Sequence, residues 1–305
     1  MEKLLMQINE YFVGQKDIAE NVLICLLAGG HVLLEDVPGV GKTTLARIIA
    51  NSMDCDFGRI QFTPDTLPGD VIGTSVYNAK TGEFSYREGA VMHQILLADE
   101  INRTSPKTQA SLLETMSEGK VTVDGRTYGL PQPFMVIATQ NPVEFLGTYP
   151  LPEAQMDRFM MRLSLGYPEA SEEWRLAKNF ISGKTVDTVK SVCTSEDVIK
   201  IKGEVEKVSL SDNMIKYIQD IVRLTREEKR FVLGASPRAM LALIRTSQAK
   251  AYLSGRDFVK PDDVKAVAIN VLHHRLTLLP EAKIHGDDVD RLLKELMVQA
   301  TIPFE

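Results

Sequence analysis

The segment from residue 36 to residue 44 constrains the fold more than any other part of the chain. It consists of Asp-Val-Pro-Gly-Val-Gly-Lys-Thr-Thr, follows the apolar run 32–34 and precedes the helical pattern 45–50. A glycine-rich loop between a strand and a helix is the context that a phosphate-binding loop requires. Its glycines let backbone amides point at phosphate oxygens, and the helix N-terminus adds partial positive charge. The sequence therefore predicts a site for a nucleoside triphosphate.

The same loop carries a lysine and a hydroxyl group where such a site needs them. Lys42 is predicted to reach the β- and γ-phosphates, and the Thr43 hydroxyl to bind Mg²⁺. The common motif begins with glycine, whereas this loop begins with Asp36, a residue type that tolerates unusual φ and ψ angles. A chance Gly-Lys-Thr at a helix start is the alternative, and the strand–loop–helix context disfavours it. The predicted nucleotide contacts of the loop are Pro38, Gly39, Val40, Gly41, Lys42, Thr43 and Thr44.

Short apolar runs predict a parallel sheet in the first part of the chain. Runs of this length, almost free of charge, are typical of strands buried on both faces, and helical segments lie between several of them. The runs span residues 31–35, 59–63, 94–99, 134–139 and 161–165. We therefore predict an α/β domain with a five-stranded parallel sheet over residues 1–168.

Helix follows helix after residue 168. Residues that favour helix N-termini, with acids or proline next to them, mark the predicted helix starts. These starts are at Ser171, Ser195, Ser211, Ser236-Pro237, Pro261 and Gly286-Asp287-Asp288. The second domain, residues 169–305, is predicted to be all-α.

Composition, charge and hydropathy weigh against several classes of function. The chain has 35 Lys and Arg against 41 Asp and Glu, a net charge of −6, which disfavours a dedicated nucleic-acid binder. Three cysteines without metal-ligand spacing are typical of reduced thiols in a cytoplasm. The N-terminus lacks the pattern of a secretion signal, and no apolar window approaches the ~18 residues of a membrane span. We predict a cytoplasmic protein without membrane insertion.

Two acids end the apolar run at residues 95–98. In open α/β sheets ligands bind at the carboxyl ends of the strands, so Asp99 and Glu100 are expected beside the phosphate loop. Asp99 is predicted to hold Mg²⁺, directly or through water, and Glu100 to polarise the attacking water. The alternative is a strand capped by solvated acids, which is less common downstream of a phosphate loop.

Three further polar residues complete the predicted site. Asn141 ends the next apolar run, where its amide could orient the same water, although Asn141-Pro142 alone indicates a turn. Arg158 precedes the fifth run, and Arg238 lies at a helix start. Guanidinium groups stabilise the charge that develops on phosphoryl oxygens during transfer. From composition alone, surface ion pairs are the simpler interpretation of both arginines.

Five segments, taken together and in order, resemble the MoxR group of AAA+ ATPases. They span residues 33–43, 97–103, 137–142, 151–159 and 234–239. The phosphate loop alone would indicate only a large superfamily, whereas Leu-Pro-Glu-Ala-Gln combined with Ala-Thr-Gln-Asn-Pro is much more specific. The aspartate at the start of the loop is also similar to MoxR proteins. The resemblance extends from about residue 13 to the last helices.

The resemblance implies a role for each matched residue. Lys42 and Thr43 match Walker A, and Asp99 and Glu100 match Walker B. The segment Val13-Gly14-Gln15 matches the part of the chain that lies beside the adenine.

For the remaining matched residues it implies roles in sensing and completing the site. Asn141 matches sensor 1, and Arg158 matches the arginine finger that reaches the nucleotide of the neighbouring subunit. Arg238 matches sensor 2 on the lid. In this clade the lid is displaced relative to other AAA+ proteins, so Arg238 could act on its own subunit's nucleotide or on a neighbour's.

MoxR proteins belong to a clade with an insertion in the second helix and a hairpin before sensor 1. Residues 62–86 fit the insertion. Residues 121–128 by themselves predict a hairpin, with two β-rich runs around Asp124-Gly125.

A finger that acts on the neighbour implies an interface between unlike faces, which closes into a ring or continues as a helix. AAA+ relatives favour hexamers. The resemblance further implies a chaperone-like ATPase that remodels or activates separate partner proteins, among them proteins with von Willebrand factor A domains.

Three alternatives stay open on the sequence. A DNA motor would need basic hairpin tips, whereas Arg126 is accompanied by Asp124 and the net charge is negative. The ATPase subunit of a metal chelatase is a second alternative, since such subunits belong to the same clade, but the MoxR-specific segments of this chain disfavour it. A nucleotide-gated scaffold with little turnover would be expected to have lost at least one of the catalytic residues named above.

Overall fold

The computed structural model describes residues 1–141 and 147–301 and divides into two compact units. The first unit comprises Met1–Glu20, His31–Leu151 and Leu163–Ile199. The second comprises Asn21–Gly30, Pro152–Arg162 and Lys200–Glu305. The units are interleaved along the chain, and the domain boundary at residue 168 stays a prediction.

The strands of the described residues fall into one larger sheet and three two-stranded ones. In chain order they are β1 (Val32–Glu35), β2 (Phe57–Gln61), β3 (Thr74–Asn78), β4 (Glu83–Arg87), β5 (Ile95–Asp99), β6 (Lys120–Val123), β7 (Arg126–Gly129), β8 (Met135–Gln140), β9 (Met161–Leu163), β10 (Phe231–Leu233) and β11 (Thr277–Leu278).

The α-helices of the same residues are, in chain order, α1 (Glu2–Tyr11), α2 (Lys16–Leu27), α3 (Lys42–Ser52), α4 (Pro68–Ile72), α5 (Pro106–Glu118), α6 (Glu153–Met156), α7 (Ala170–Ile181), α8 (Ser195–Val205), α9 (Asp212–Glu227), α10 (Pro237–Leu253), α11 (Pro261–Leu272), α12 (Pro280–Ile284) and α13 (Val289–Gln299). In the part of the chain that the structure describes, no helix is both long and apolar enough to cross a membrane.

The predicted five-stranded parallel sheet is confirmed, with the strand order β2-β5-β8-β1-β9. Its inner strands are buried on both faces, as their uninterrupted apolar runs predicted. Each fully buried leucine or isoleucine contributes roughly 2 kcal/mol of burial free energy. The register places Gln61 opposite Asp99 and Glu35 opposite Gln140. Polar residues therefore meet where the parallel strands end, on the side of the sheet where the predicted site residues of the first unit lie.

Two β-hairpins are inserted in the chain between strands of the five-stranded sheet. The predicted hairpin at 121–128 is confirmed as β6 and β7, with Asp124 and Gly125 at φ +47° and +76° in the turn. The insertion region contains α4 and the antiparallel pair β3–β4. The rings of Tyr86 and Tyr128, one from each hairpin, stack with centroids 4.1 Å apart.

The predicted helix starts are confirmed at Ser195, Ser211, Ser236, Pro261 and Asp288, and only the start of α7 differs from its prediction. Ser211, Ser236 and Asp288 accept hydrogen bonds from backbone amides of their helices, as N-caps do. Helix α7 instead begins at Ala170, so Ser171 lies inside its first turn. At α8, Thr194 Oγ1 accepts from Asp197 N, while Asp197 Oδ2 accepts from Thr194 N at 3.0 Å. This reciprocal pair caps the helix one residue before Ser195.

Candidate nucleotide-binding site

The loop between β1 and α3 has the conformation that a phosphate-binding loop needs. Gly39 and Gly41 adopt φ values of +90° and +92°, a region that side chains with a Cβ atom strongly disfavour. Gly41 is the N-cap of α3, and Lys42 is its first residue. The loop amides and the helix N-terminus therefore form one face that suits an anion.

Asp36 has a different role from the one that its residue type suggested. It is absent from the residues of positive φ in the described chain, so its conformational tolerance does not explain its presence. The residue is 6% exposed, and its carboxylate accepts from Ser164 Oγ at 2.9 Å, Leu165 N at 2.5 Å and Gly166 N at 3.1 Å. The aspartate thus anchors the phosphate loop to the segment that follows β9.

Lys42 lies among carboxylates at the end of the loop. Its Nζ donates to the backbone oxygen of Asp36 at 2.9 Å. Burial lowers the pKa of the ammonium group, and the charges of Asp99, Asp36 and Glu100 oppose that shift. A half-buried lysine with acidic neighbours is suited to bind the negative oxygens of a phosphate chain.

Asp99 and Glu100, the two acids at the end of β5, are held by different partners. Asp99 accepts from Thr139 Oγ1 at 2.6 Å and from Arg59 at 2.7 Å. Glu100 adopts a left-handed conformation, with φ +57° and ψ +50°. Such a conformation costs a residue with a Cβ atom on the order of 1 kcal/mol and is common at functional sites. It turns the Glu100 side chain out of the strand direction that Asp99 follows.

Arg59 and Gln61, at the end of β2, belong to the site and were missed from the sequence. Arg59 donates to Gln61 Oε1 at 2.8 Å as well as to Asp99. Gln61 Nε2 donates to Glu100 Oε2 at 2.8 Å, and Arg103 pairs with the same oxygen at 3.3 Å. The alternation of polar and apolar residues along Arg59-Ile60-Gln61 was the sequence feature that could have indicated that Arg59 and Gln61 share one face of β2.

The site residues converge on one cavity of about 400 Å³ in the first unit. Its lining comprises Pro38, Gly39, Gly41, Lys42, Thr43, Thr44, Arg59, Gln61, Asp99, Glu100 and Asn141. Pro142, the neighbour of Asn141 in the predicted motif, lies outside the described residues. The cavity brings the loop, the two acids and the polar amide together at the carboxyl edge of the sheet.

Of the predicted nucleotide contacts, all of which the structure describes, four do not line this cavity: Val13, Gly14, Gln15 and Val40. The ring of Phe12 lies close to both Gly14 and Gly41 of the loop. A Cβ atom on Gly14 would lie 2.7 Å from this ring, and one on Gly41 would lie 3.6 Å from it. The segment 13–15 is thus joined to the phosphate loop through a buried aromatic side chain.

Arg158 and Arg238 belong to the second unit. Arg158 follows α6 and is half-buried, whereas Arg238 is exposed in the first turn of α10. The structure therefore places these two arginines in one unit and the other predicted site residues in the other.

Comparisons with known proteins identify the family. Residues 31–161 match the model of the ATPase family associated with various cellular activities (AAA), and residues 223–296 match the AAA lid domain. The chain is 40% identical to Chaperone MoxR1 of Mycobacterium tuberculosis, covering 99% of this chain and 82% of that protein. The chain belongs to the MoxR family of AAA+ ATPases.

Two further proteins are similar over nearly the whole chain. An uncharacterized protein of Bacillus subtilis, YeaC, is 51% identical over 99% of this chain and 95% of its own length. The crystal structure of a putative ATPase from Cytophaga hutchinsonii superposes with a TM-score of 0.92 at 40% identity, covering 99% of this chain and 94% of that one. As a MoxR-family AAA+ ATPase the chain binds nucleotide and is an ATP hydrolase, with an AAA core and a helical lid.

Proposed function

We propose that this chain binds ATP together with Mg²⁺ in the cavity of about 400 Å³ and hydrolyses the nucleotide there. The observation that carries the proposal is the convergence of Lys42, Thr43, Asp99, Glu100 and Asn141 on that one cavity. The loop amides and Lys42 would hold the phosphate chain, because both present N–H donors to anionic oxygens.

The oxygen donors of the cavity fit a magnesium ion. Thr43 offers a hydroxyl and Asp99 a carboxylate, the hard oxygen ligands that Mg²⁺ prefers together with phosphate oxygens and water. No cluster of three His, Cys, Asp or Glu side chains in the described chain could hold a metal by itself, so the nucleotide would complete the ligand set. Bound Mg²⁺ would neutralise charge on the phosphate oxygens.

Glu100 would act as the general base on the attacking water. Its carboxylate is held by Gln61 and Arg103, and its backbone amide donates to Thr139. These contacts fix the Glu100 carboxylate, and the residue still lines the cavity. A general base needs this arrangement to take a proton from a positioned water molecule. Asn141, in the same lining, would orient that water.

We further propose that Arg158 acts on the nucleotide of a neighbouring subunit and that the chain assembles into a ring, as a hexamer. An active site that a neighbour completes requires contact between unlike faces, and such contacts close into rings. Arg238 on the lid would sense the nucleotide of its own subunit or of a neighbour.

Hydrolysis in the ring would drive the remodelling or activation of separate partner proteins. The relative named Chaperone MoxR1 supports this class of function. Adaptors with von Willebrand factor A domains are the partners that we propose from the family resemblance. The hairpin β6–β7 carries Asp124 beside Arg126 at its turn, which disfavours a nucleic-acid contact there.

The test compares the ATPase rate per subunit at several protein concentrations for the wild type, Lys42→Ala, Arg158→Ala and an equal mixture of the two variants. We expect the specific activity to rise with concentration and the Arg158→Ala rate to fall about 10³-fold. The mixture should regain part of the activity, because each variant supplies the group that the other lacks.

Two results would contradict the shared site. Full activity of Arg158→Ala would show that Arg158 is not an arginine finger. A rate per subunit that does not change on dilution, together with no recovery of activity in the mixture, would contradict the ring. Loss of activity in Lys42→Ala alone would then support only an ATPase that works within one subunit.

A further inference from the structure

The buried guanidinium of Arg275 uses all of its donors. The side chain is 2% exposed and follows α11 in the second unit. Nε donates to Asp157 Oδ1 at 2.6 Å, and one terminal nitrogen donates to the backbone oxygens of Asp157 and Phe159 at 3.2 and 2.8 Å. The other donates to the backbone oxygens of Met160, at 3.1 Å, and Val271. A guanidinium has five N–H groups, and each has an acceptor here.

Four of these five bonds end on one short segment, residues 157–160. That segment contains Arg158, and its bonded carbonyl groups lie on both sides of it in the chain. The neighbouring His274 adds another contact, with Nε2 3.0 Å from the Phe159 oxygen. A pair of adjacent lid residues thus holds the backbone that carries the predicted finger, although the residues are more than a hundred positions apart in sequence.

Asp157 connects the same segment to the helix that carries Arg238. Ser236 Oγ donates to the two carboxylate oxygens of Asp157 at 3.3 and 3.1 Å. Ser236 is also the N-cap of α10, whose first turn contains Arg238. Burial lowers the pKa of Arg275, Asp157 opposes that shift, and the positive charge of Arg238 adds to it.

We infer that Arg275 is a positioning residue for ATP hydrolysis: through Asp157 and the backbone of residues 157–160 it sets the position of Arg158 and couples it to the helix of Arg238. The inference rests on the proposed function, in which Arg158 completes a neighbour's site. A catalytic group displaced by about 1 Å can lose on the order of 100-fold in rate. Five bonds from a rigid, planar group to backbone and carboxylate oxygens provide that precision, whereas apolar packing would leave the segment free to shift.

The experiment measures steady-state ATPase kinetics of Arg275→Gln alone and in mixtures. Arg275→Gln should lower kcat by about 100-fold and leave the KM for ATP within about twofold, since the phosphate loop is intact. An equal mixture of Arg275→Gln and Lys42→Ala should recover as much activity as an equal mixture of Arg158→Ala and Lys42→Ala. A mixture of Arg275→Gln with Arg158→Ala should not recover, because both lack a working finger.

Two variants control for stability. Arg223→Gln removes an exposed arginine of the same unit that pairs with Asp220 and Glu227, and it should keep wild-type kinetics in every mixture. Arg275→Lys keeps a charge opposite Asp157 but cannot reach the backbone oxygens together. If Arg275→Gln unfolds, as judged by its circular dichroism melting curve, Arg275→Lys should show an intermediate kcat and the same mixing pattern.

The outcomes separate this inference from the ring itself. If the Arg158→Ala and Lys42→Ala mixture recovers but a folded Arg275 variant with Lys42→Ala does not, the arginine serves the whole subunit and the inference is overturned. Wild-type kcat in the folded Arg275 variants overturns it as well. If even the Arg158→Ala reference mixture stays inactive, the shared site is wrong, and the role of Arg275 falls with it.

Discussion

Thr139 Oγ1 donates a 2.6 Å hydrogen bond to Asp99 Oδ1, on the adjacent strand of the sheet. The same hydroxyl accepts from the backbone amide of Glu100 at 2.9 Å. One buried side chain of β8 therefore orients both acids of β5, the proposed magnesium ligand and the proposed base. It also satisfies the amide of Glu100, whose left-handed conformation takes it out of the strand ladder.

Replacing Thr139 by valine, which has a similar shape but no hydroxyl group, should reduce hydrolysis. The variant leaves the Glu100 amide and one Asp99 oxygen without their partner, so we expect kcat to fall by about 10- to 100-fold. The free energy of unfolding should fall by about 1–3 kcal/mol, the cost of leaving a buried polar group unpaired. Steady-state kinetics and urea unfolding measure the two effects. Thr139→Ser, which keeps the hydroxyl, is the control, and wild-type kcat in Thr139→Val would exclude an orienting role.

The sequence predicted the parts of this site that local patterns encode. The loop glycines, Lys42 and the acids at the end of β5 follow from short-range spacing, and the structure brings them together in one cavity. Arg59, Gln61 and Thr139 were missed because their roles depend on the order of strands in the sheet, which joins residues about forty positions apart. A motif within one strand cannot specify its neighbour.

Asp36 and Arg275 show the same limit over longer separations. The partners of Asp36 lie 128 to 130 positions away, and most of those of Arg275 lie 115 to 118 positions away. The run His273-His274-Arg275 has no local pattern that identifies the partners of its side chains. His274 and Arg275 are buried, and only the tertiary fold reveals that their acceptors belong to the finger segment.

Glu100→Gln should separate nucleotide binding from hydrolysis. The amide is nearly isosteric and can still interact with Gln61, but it cannot take a proton from water, so kcat should fall about 10²- to 10⁴-fold. Binding of a fluorescent ATP analogue, measured by titration, should stay within about threefold of the wild type, because Lys42 and the loop are unchanged. Retention of wild-type kcat would show that another group accepts the proton.

Asp36→Gly would restore the common form of the phosphate-loop motif and should nevertheless destabilise the protein. It removes a buried carboxylate that accepts three hydrogen bonds and leaves the amides of Leu165 and Gly166 without a partner. We expect the free energy of unfolding to fall by about 3 kcal/mol, measured by urea titration with circular dichroism. Asp36→Asn retains one acceptor oxygen, so its free energy of unfolding should lie between those of the wild type and Asp36→Gly. Equal stability of Asp36→Gly and the wild type would show that the segment 164–166 does not depend on this anchor.

The buried imidazole of His274 should make stability depend on pH in the acid range. Burial, with the charges of Arg275, Arg162 and His273, lowers its pKa well below the ordinary value, and the hydrogen bond with Phe159 opposes the shift. The unfolded chain therefore binds a proton near pH 6.5 that the folded chain does not bind, and stability is lost as the pH falls below that value.

The expected loss from His274 is about 1.4 kcal/mol in the free energy of unfolding for each pH unit between about 6 and the lowered pKa. Urea titrations at pH 7.5, 6.5 and 5.5 measure it. His274→Gln cannot take up that proton and should show a shallower slope, even if it is less stable at neutral pH. The control is His285→Gln, because His285 is exposed at the end of α12. Parallel pH profiles for the wild type and His274→Gln would show that another group causes the acid lability.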